Sequence, residues 1–422
     1  MTGTSPRGGL TAFLQGRAGR RLSAVCAAVG AFAIVSSGLA PSAVAADVQS
    51  KQWYLDIMDA KGMWKVSTGK GVKVAVLDTG VNPDTSSLKG QVLVDGVHQA
   101  VSYNATNDYL SHGTTMAEMI AGTGAGGGLQ GLAPGAKVVP YRVLTKGVKN
   151  KTDVKKTPSI ADAIKAAADS DAKIISMSFG GDIMNPDEAK AVKYAESKGK
   201  LMFAATGNDA ETKNFIGYPA ADPYVVGVAA ADKDGKVADF SEHGNYVDLA
   251  APGRNVPVWC DATFKSYCDS GGTSAATALT SASAALIWSA HPTWTANQVL
   301  ATLIDTAGRD WPKNKPSNYL GYGLIRPRKV LENSSINPGV PGTDPLSFEN
   351  GTGVTGASPS ASASTSTSSK APNPTSGGQT SAAASTSDSS GNTTLWVALG
   401  AAAAVVVLGG GGFAVARSRR GA

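Results

Sequence analysis

Four short stretches hold the side chains that could do chemistry. Asp78 closes an apolar run in Asp78-Thr79-Gly80, and His112 stands in Ser111-His112-Gly113-Thr114. Asn208 follows a second apolar run in Ala204-Ala205-Thr206-Gly207-Asn208-Asp209, and Ser274 follows a glycine pair in Gly271-Gly272-Thr273-Ser274-Ala275-Ala276. A hydroxyl, an imidazole and a carboxylate make a nucleophilic set, in which the imidazole takes the hydroxyl proton and the carboxylate orients the imidazole. The order Asp78, His112, Ser274 along the chain is one known for such a set. A side-chain amide such as that of Asn208 can donate to an oxyanion. No charged residue occurs from Ser274 to Ala290, so the serine reads as the first turn of a buried helix after a tight glycine turn. Unpaired N–H groups and the positive end of the dipole favour an anion there. Each stretch also has a plainer reading: a capping serine, a turn aspartate, a left-handed asparagine. The ordered combination is what sets those readings aside. The other histidines, His98, His243 and His291, read as loop, turn and helix-end residues.

Positioning these groups requires a rigid sheet edge. The patterns predict short apolar strands over 71–77, 138–143, 174–177, 201–205 and 225–229. Helical patterns fall at 114–121, 159–168 and 186–198, and a last helix pair starts at Ser274 and Thr295. Buried strands alternating with helices predict an α/β fold with a mostly parallel sheet covered on both faces. Ligands on such folds sit beyond the carboxyl ends of the strands, where Asp78 and Asn208 emerge. The glycine-rich loop 124–128 lacks the lysine and the spacing of a phosphate loop.

The motifs Asp78-Thr79-Gly80, His112-Gly113-Thr114 and Gly272-Thr273-Ser274-Ala275 resemble those of the subtilisin-like serine proteases (subtilases, peptidase family S8). The resemblance extends over about residues 69–331 and takes in Val247-Asp248-Leu249-Ala250-Ala251-Pro252-Gly253 and Gly321-Tyr322-Gly323. It implies a three-layer α/β/α domain and a serine endopeptidase acting on proteins or peptides through an acyl-enzyme. Ser274 would be the nucleophile, His112 the general base and acid, Asp78 the orienting carboxylate and Asn208 an oxyanion donor. Ser178-Phe179-Gly180 would pair with an extended substrate, as in β-augmentation. No cofactor or metal is implied, and there is no dense Asp/Asn loop of the kind calcium needs. Two features depart from the family pattern. Ala276-Thr277-Ala278 lacks the proline common after the nucleophile. The lead-in before the protease motifs is also much shorter than the inhibitory propeptide of many subtilases, so either the enzyme folds without that aid or residues 49–64 wrap the domain.

The two ends of the 422-residue chain differ from the middle. Residues 1–46 contain four arginines, no acid, an apolar run over 22–39 and the small residues Ala43-Val44-Ala45-Ala46, the composition of a secretory signal peptide. Residues 338–394, rich in Ser, Thr, Pro and Gly, read as a disordered stalk. Residues 395–416 are uncharged and long enough to span a bilayer as one helix, and 417–422 form a basic tail with three arginines, cytoplasmic by the positive-inside rule. The formal charge of +6 loses those seven arginines with the two ends, leaving −1 for the rest. The basic balance is therefore no argument for nucleic-acid binding. Residues 47–68 read as an N-terminal extension and 69–337 as the protease domain. Cys260 and Cys268 are expected to pair in an exported chain, closing a small loop beside Ser274; two free thiols or a metal pair are the alternatives.

This layout looks like that of the mycosins, membrane-anchored proteases of type VII secretion systems. It implies an extracytoplasmic catalytic domain on the cell membrane, with secretion components as partners. A wall-tethered degradative subtilase is the first rival, and an inactive scaffold subunit of a membrane secretion complex is the second.

Overall fold

The computed structural model describes Gly3 and residues 45–350. The expected transmembrane helix at 395–416, the basic tail and nearly all of the signal peptide lie outside the described residues, as does the stalk beyond 350. Among the described residues no helix is long and apolar enough to cross a membrane.

Six strands form one parallel sheet: β1 (Lys73–Asp78), β2 (Lys137–Arg142), β3 (Ile174–Met177), β4 (Leu201–Ala205), β5 (Val225–Ala231) and β6 (Leu249–Pro252). Their order is β2-β1-β3-β4-β5-β6. Both faces of the sheet are buried, which is why the strands read as continuous apolar runs. In β1, Val74 and Val76 enter one core, while Ala75 and Leu77 enter the other. The chain leaves β1 for β2 on one side and then places β3 on the other, so its direction reverses around β1. The carboxyl ends of the strands beside such a reversal are where a parallel sheet leaves a crevice.

On one face lie α1 (His112–Ala121) and the later α4 (Thr273–Ala290); α2 (Ile160–Asp169) and α3 (Pro186–Ser197) cover the other. Side chains cap the second pair: Ser159 accepts from Asp162 N, and Asn185 from Asp187 N with Pro186 at the first turn. A capping box of Thr295 and Gln298 starts α5 (Ala296–Thr306). In α4 every residue from Thr273 to Trp288 is buried. Three of its hydroxyls are tolerated there because Thr277, Thr280 and Ser283 each donate to the carbonyl four residues earlier, at 2.8 Å, whereas Ser281 Oγ finds no partner among the described residues.

Three features of the periphery complete the fold: one of the two alternatives for the lead-in is realised, an expected boundary moves, and the expected disulfide closes a hairpin. The lead-in wraps the domain as the short helices Trp53–Ile57 and Ala60–Trp64. Tyr54 and Met63 are buried, Trp53 Nε1 donates to Asn255 O at 2.8 Å, and Trp64 Nε1 donates to Leu132 O at 2.8 Å. At the other end the folded body runs past the expected boundary at 337. Leu346 is buried, Asn350 Oδ1 accepts from Tyr224 N at 2.9 Å, and Thr295 Oγ1 donates to Pro341 O at 2.9 Å. One leucine and a few directed hydrogen bonds hold this segment, a signal that composition averaged over 338–394 dilutes. Finally, a hairpin of β7 (Val256–Trp259) and β8 (Tyr267–Ser270) stands apart from the main sheet, its loop closed by a Cys260–Cys268 disulfide.

Candidate active site

β1 ends at Asp78, and its fully buried carboxylate faces the start of α1. Asp78 Oδ1 accepts from Thr79 N at 2.7 Å and lies 2.7 Å from His112 Nδ1. His112 is the first residue of α1, and its side chain is 27% exposed. The glycine after it lets the helix sit this close: a Cβ on Gly113 would lie 2.2 Å from Gly80 O and 2.9 Å from Asp78 Cβ. Burial works against the charged imidazole, but the charge and hydrogen bond of Asp78 outweigh it and hold His112 above its ordinary pKa. Asp108 adds in the same direction and Lys146 opposes.

Behind this pair lies Asp108, which the sequence reading did not single out. Its Oδ1 accepts from Thr79 Oγ1 at 2.8 Å and Leu110 N at 3.0 Å. Its Oδ2 accepts from Thr114 N at 2.9 Å and Thr114 Oγ1 at 2.7 Å. Thr79 Oγ1 in turn accepts from Gly113 N at 2.9 Å. Asp108 thus does the capping that the preceding residue, Ser111, does not, and ties the Asp78 turn to the helix that begins with His112. An aspartate just before a predicted helix start was the available signal.

Ser274 is the second residue of α4. The glycine pair before it places no residue in the left-handed region; Gly272 is extended and its N–H donates to Gly253 O at 2.8 Å. The turn expected from the two glycines is therefore a close pairing with another segment. Ser274 Oγ donates to Ser178 O at 2.9 Å, and Ser178 Oγ donates to Ser274 O at 3.1 Å. The serine hydroxyl is thus engaged with the end of β3 and not with the imidazole. Asn208 Oδ1 accepts from Thr273 N at 2.8 Å and Thr273 Oγ1 at 3.1 Å. With its oxygen so held, the amide has its Nδ2 donors left for a ligand beside the first turn of α4.

Of the expected substrate strand, Ser178 is buried against Ser274, Phe179 is half-buried against the core that α2 and α3 cover, and Gly180 is exposed. The next residue is already paired: Gly181 N donates to Tyr218 O at 2.9 Å, and Tyr218 N donates to Gly181 O at 2.8 Å.

The disulfide hairpin runs into Gly271, but it grips α1 as well. Tyr267 donates to Glu118 Oε2 at 2.8 Å, and Trp259 N donates to Thr115 Oγ1 at 3.2 Å. Glu118 also accepts from Thr85 Oγ1 at 2.7 Å. Burial pushes the Glu118 carboxyl up to about 7, although bonds from Thr85 and Tyr267 pull the other way. An acid inside the apolar run Met116-Ala117-Glu118-Met119-Ile120 was the sequence signal for it.

Chemically, the arrangement presents a serine hydroxyl at a helix N-terminus, an imidazole held by a buried carboxylate, and a fixed amide donor, all at one edge of the sheet. Residues 69–323 match the profile of the Subtilase family, peptidase S8. Thermitase of Thermoactinomyces vulgaris is 32% identical over 279 residues, spanning 64% of this chain and 95% of that protein. Among solved structures, the MycP3 protease from the type VII (ESX-3) secretion system superposes with a TM-score of 0.55 at 28% identity, over 66% of this chain and 87% of that one. MycP1 from Mycobacterium smegmatis gives a TM-score of 0.55 at 26% identity, over 68% and 86% of the two chains.

Proposed function

The chain belongs to the subtilase family of serine proteases, and we propose that it is a mycosin-like endopeptidase in which Asp78, His112 and Ser274 act as a triad. Ser274 Oγ exchanges its bond to Ser178 O for one to the imidazole when a peptide is bound, and attacks the scissile carbonyl. His112 takes the hydroxyl proton and returns it to the leaving amine, forming the acyl-enzyme; water then enters by the reverse of these steps. Asp78 holds the Nδ1–H tautomer and stabilises the imidazolium. Asn208 Nδ2 and the Ser274 N–H receive the oxyanion. The observation that carries this reading is the 2.7 Å bond between buried Asp78 and His112 at the sheet edge where α4 presents Ser274.

The same reading places the enzyme outside the cytoplasm on a C-terminal membrane anchor at 395–416, associated with a type VII secretion system. The sequence of the two ends and the likeness to MycP3 and MycP1 support it.

The test is covalent labelling of the full-length protein with a fluorophosphonate. Label should fall on Ser274 and vanish in Ser274→Ala; folded wild-type protein that takes no label refutes the triad. Loss of residues 395–422 should release the protein from membranes, and protection of the domain from protease added to intact cells refutes the orientation.

A further inference from the structure

Glu242 has no role in the mechanism above, yet it is buried, only 3% exposed, against the residues on either side of Asn208. Its N–H donates to Gly207 O at 3.1 Å, and its Oε1 accepts from Asp209 N at 3.3 Å. Gly207, at φ +119°, has no side chain on the face toward Glu242, and a Cβ there would lie 1.9 Å from Oε2. A Cβ on Gly217 would lie 3.6 Å from the same oxygen. The carboxylate therefore occupies the space that two glycines leave, directly beside the segment that carries Asn208.

Three backbone segments surround that space. Residues 180–181 run beside Tyr218 and beside the end of β4: a Cβ on Gly180 would lie 3.4 Å from Ala205 O and 3.6 Å from Tyr218 O. Glycines at 180, 181, 207 and 217 keep side chains out of the walls. Among the described residues no Lys, Arg or His forms an ion pair with Glu242. Burial pushes its carboxyl up to about 7, with Asp209 and Asp182 adding negative charge. A buried carboxylate lacking a cation, among other acids, is costly unless a proton or a cation neutralises it.

The cation comes with the substrate. Asn208 Nδ2 and Ser274 N–H hold the carbonyl oxygen, so the side chain on the residue that supplies this carbonyl starts next to Gly207. The walls at Gly180, Gly181 and Gly207 carry no side chains to oppose it, and Glu242 is the charge beyond them. We propose that Glu242 is a specificity-determining residue that makes the enzyme prefer lysine or arginine at the residue supplying the scissile carbonyl. This rests on the peptidase reading above.

The test uses full-length protein and peptides that differ only at that residue: Lys, Arg, norleucine or Phe. Concentrations of competent enzyme are set by fluorophosphonate titration. Wild-type kcat/KM should favour Lys or Arg over norleucine by about 10²-fold, and Glu242→Gln should bring that ratio close to unity, with Glu242→Asp restoring much of it. A wild-type enzyme that labels but does not distinguish Lys from norleucine overturns this proposal alone; one that neither labels nor cleaves overturns the peptidase reading with it. An equal loss on all four peptides in Glu242→Gln also overturns it, because the residue then only positions the 207–209 segment. Should Glu242→Gln fail to fold, wild-type inhibition decides. Benzamidine should inhibit at least about tenfold more strongly than neutral benzamide, and equal inhibition overturns the proposal.

Discussion

His112 Nδ1 lies 2.7 Å from an oxygen of Asp78, a carboxylate that solvent does not reach. The base works as neutral imidazole, and Asp78 stabilises the protonated form. The acid limb of kcat/KM should therefore lie above the ordinary histidine pKa of about 6.5. Asp78→Asn keeps the shape but removes the charge. It should lower kcat by about 10⁴ and move the limb to lower pH, because burial is then opposed only by the weaker pull of Asp108. An acid limb that stays in place in the variant would mean that Asp78 does not set the titration of His112.

Asn208 is held through its oxygen, leaving its donors for the oxyanion. Asn208→Ala should lower kcat by about 10²–10³ with KM nearly unchanged, since the bond strengthens only as the tetrahedral intermediate forms. A change confined to KM would instead assign Asn208 to ground-state binding.

Asp108 accepts four hydrogen bonds from Thr79, Leu110 and Thr114, and joins the two segments that carry Asp78 and His112. Asp108→Ala strips those buried donors of their acceptor and should cost about 1–3 kcal/mol of stability, measured by urea unfolding. Because Asp108 also helps raise the pKa of His112, Asp108→Asn should move the acid limb of kcat/KM downward, by less than Asp78→Asn does. A purely structural role would leave that limb where it is.

Glu118 is raised from 4.5 to about 7 by burial, so the folded state holds this proton where the unfolded chain has lost it. Between those two values stability falls as pH rises. The loss from this one group is on the order of 3 kcal/mol once both pKa values are passed. Glu118→Gln keeps an acceptor and removes the titration. Melting temperatures across pH 5–8 should fall less steeply in the variant, and identical slopes would show that Glu118 stays ionised in the fold.

The Cys260–Cys268 disulfide closes a loop with a sequence separation of 8. Loop-closure entropy assigns such a short ring about 2–3 kcal/mol. Replacing both cysteines with serine should lower stability by about that amount and lower kcat modestly, since the hairpin grips α1 through Tyr267 and Glu118. Dithiothreitol should affect the wild-type protein and leave the double variant unchanged.

The apolar runs at β1 to β5, the helices between them and the four chemical motifs were legible in the sequence because each is a local pattern. A buried parallel strand is a continuous apolar run, and a residue just past it must emerge at the carboxyl edge of the sheet. The pairing of Cys260 with Cys268 was legible too, and wrapping by residues 49–64 was one of two alternatives left open, but the hairpin around the disulfide, the particular contacts of Trp53 and Trp64 and the return of the chain through Leu346 were not. They rest on single contacts between residues far apart in sequence. Asp108, Glu118 and Glu242 belong with them. Each is one acid whose meaning depends on burial and on which donors or glycines surround it, and folding alone assigns those neighbours. The sequence by itself determined the kind of chemistry and the sheet edge where it stands. Tertiary structure decided which carboxylates lose water and what they face, because desolvation and hydrogen-bond geometry are set by packing between segments.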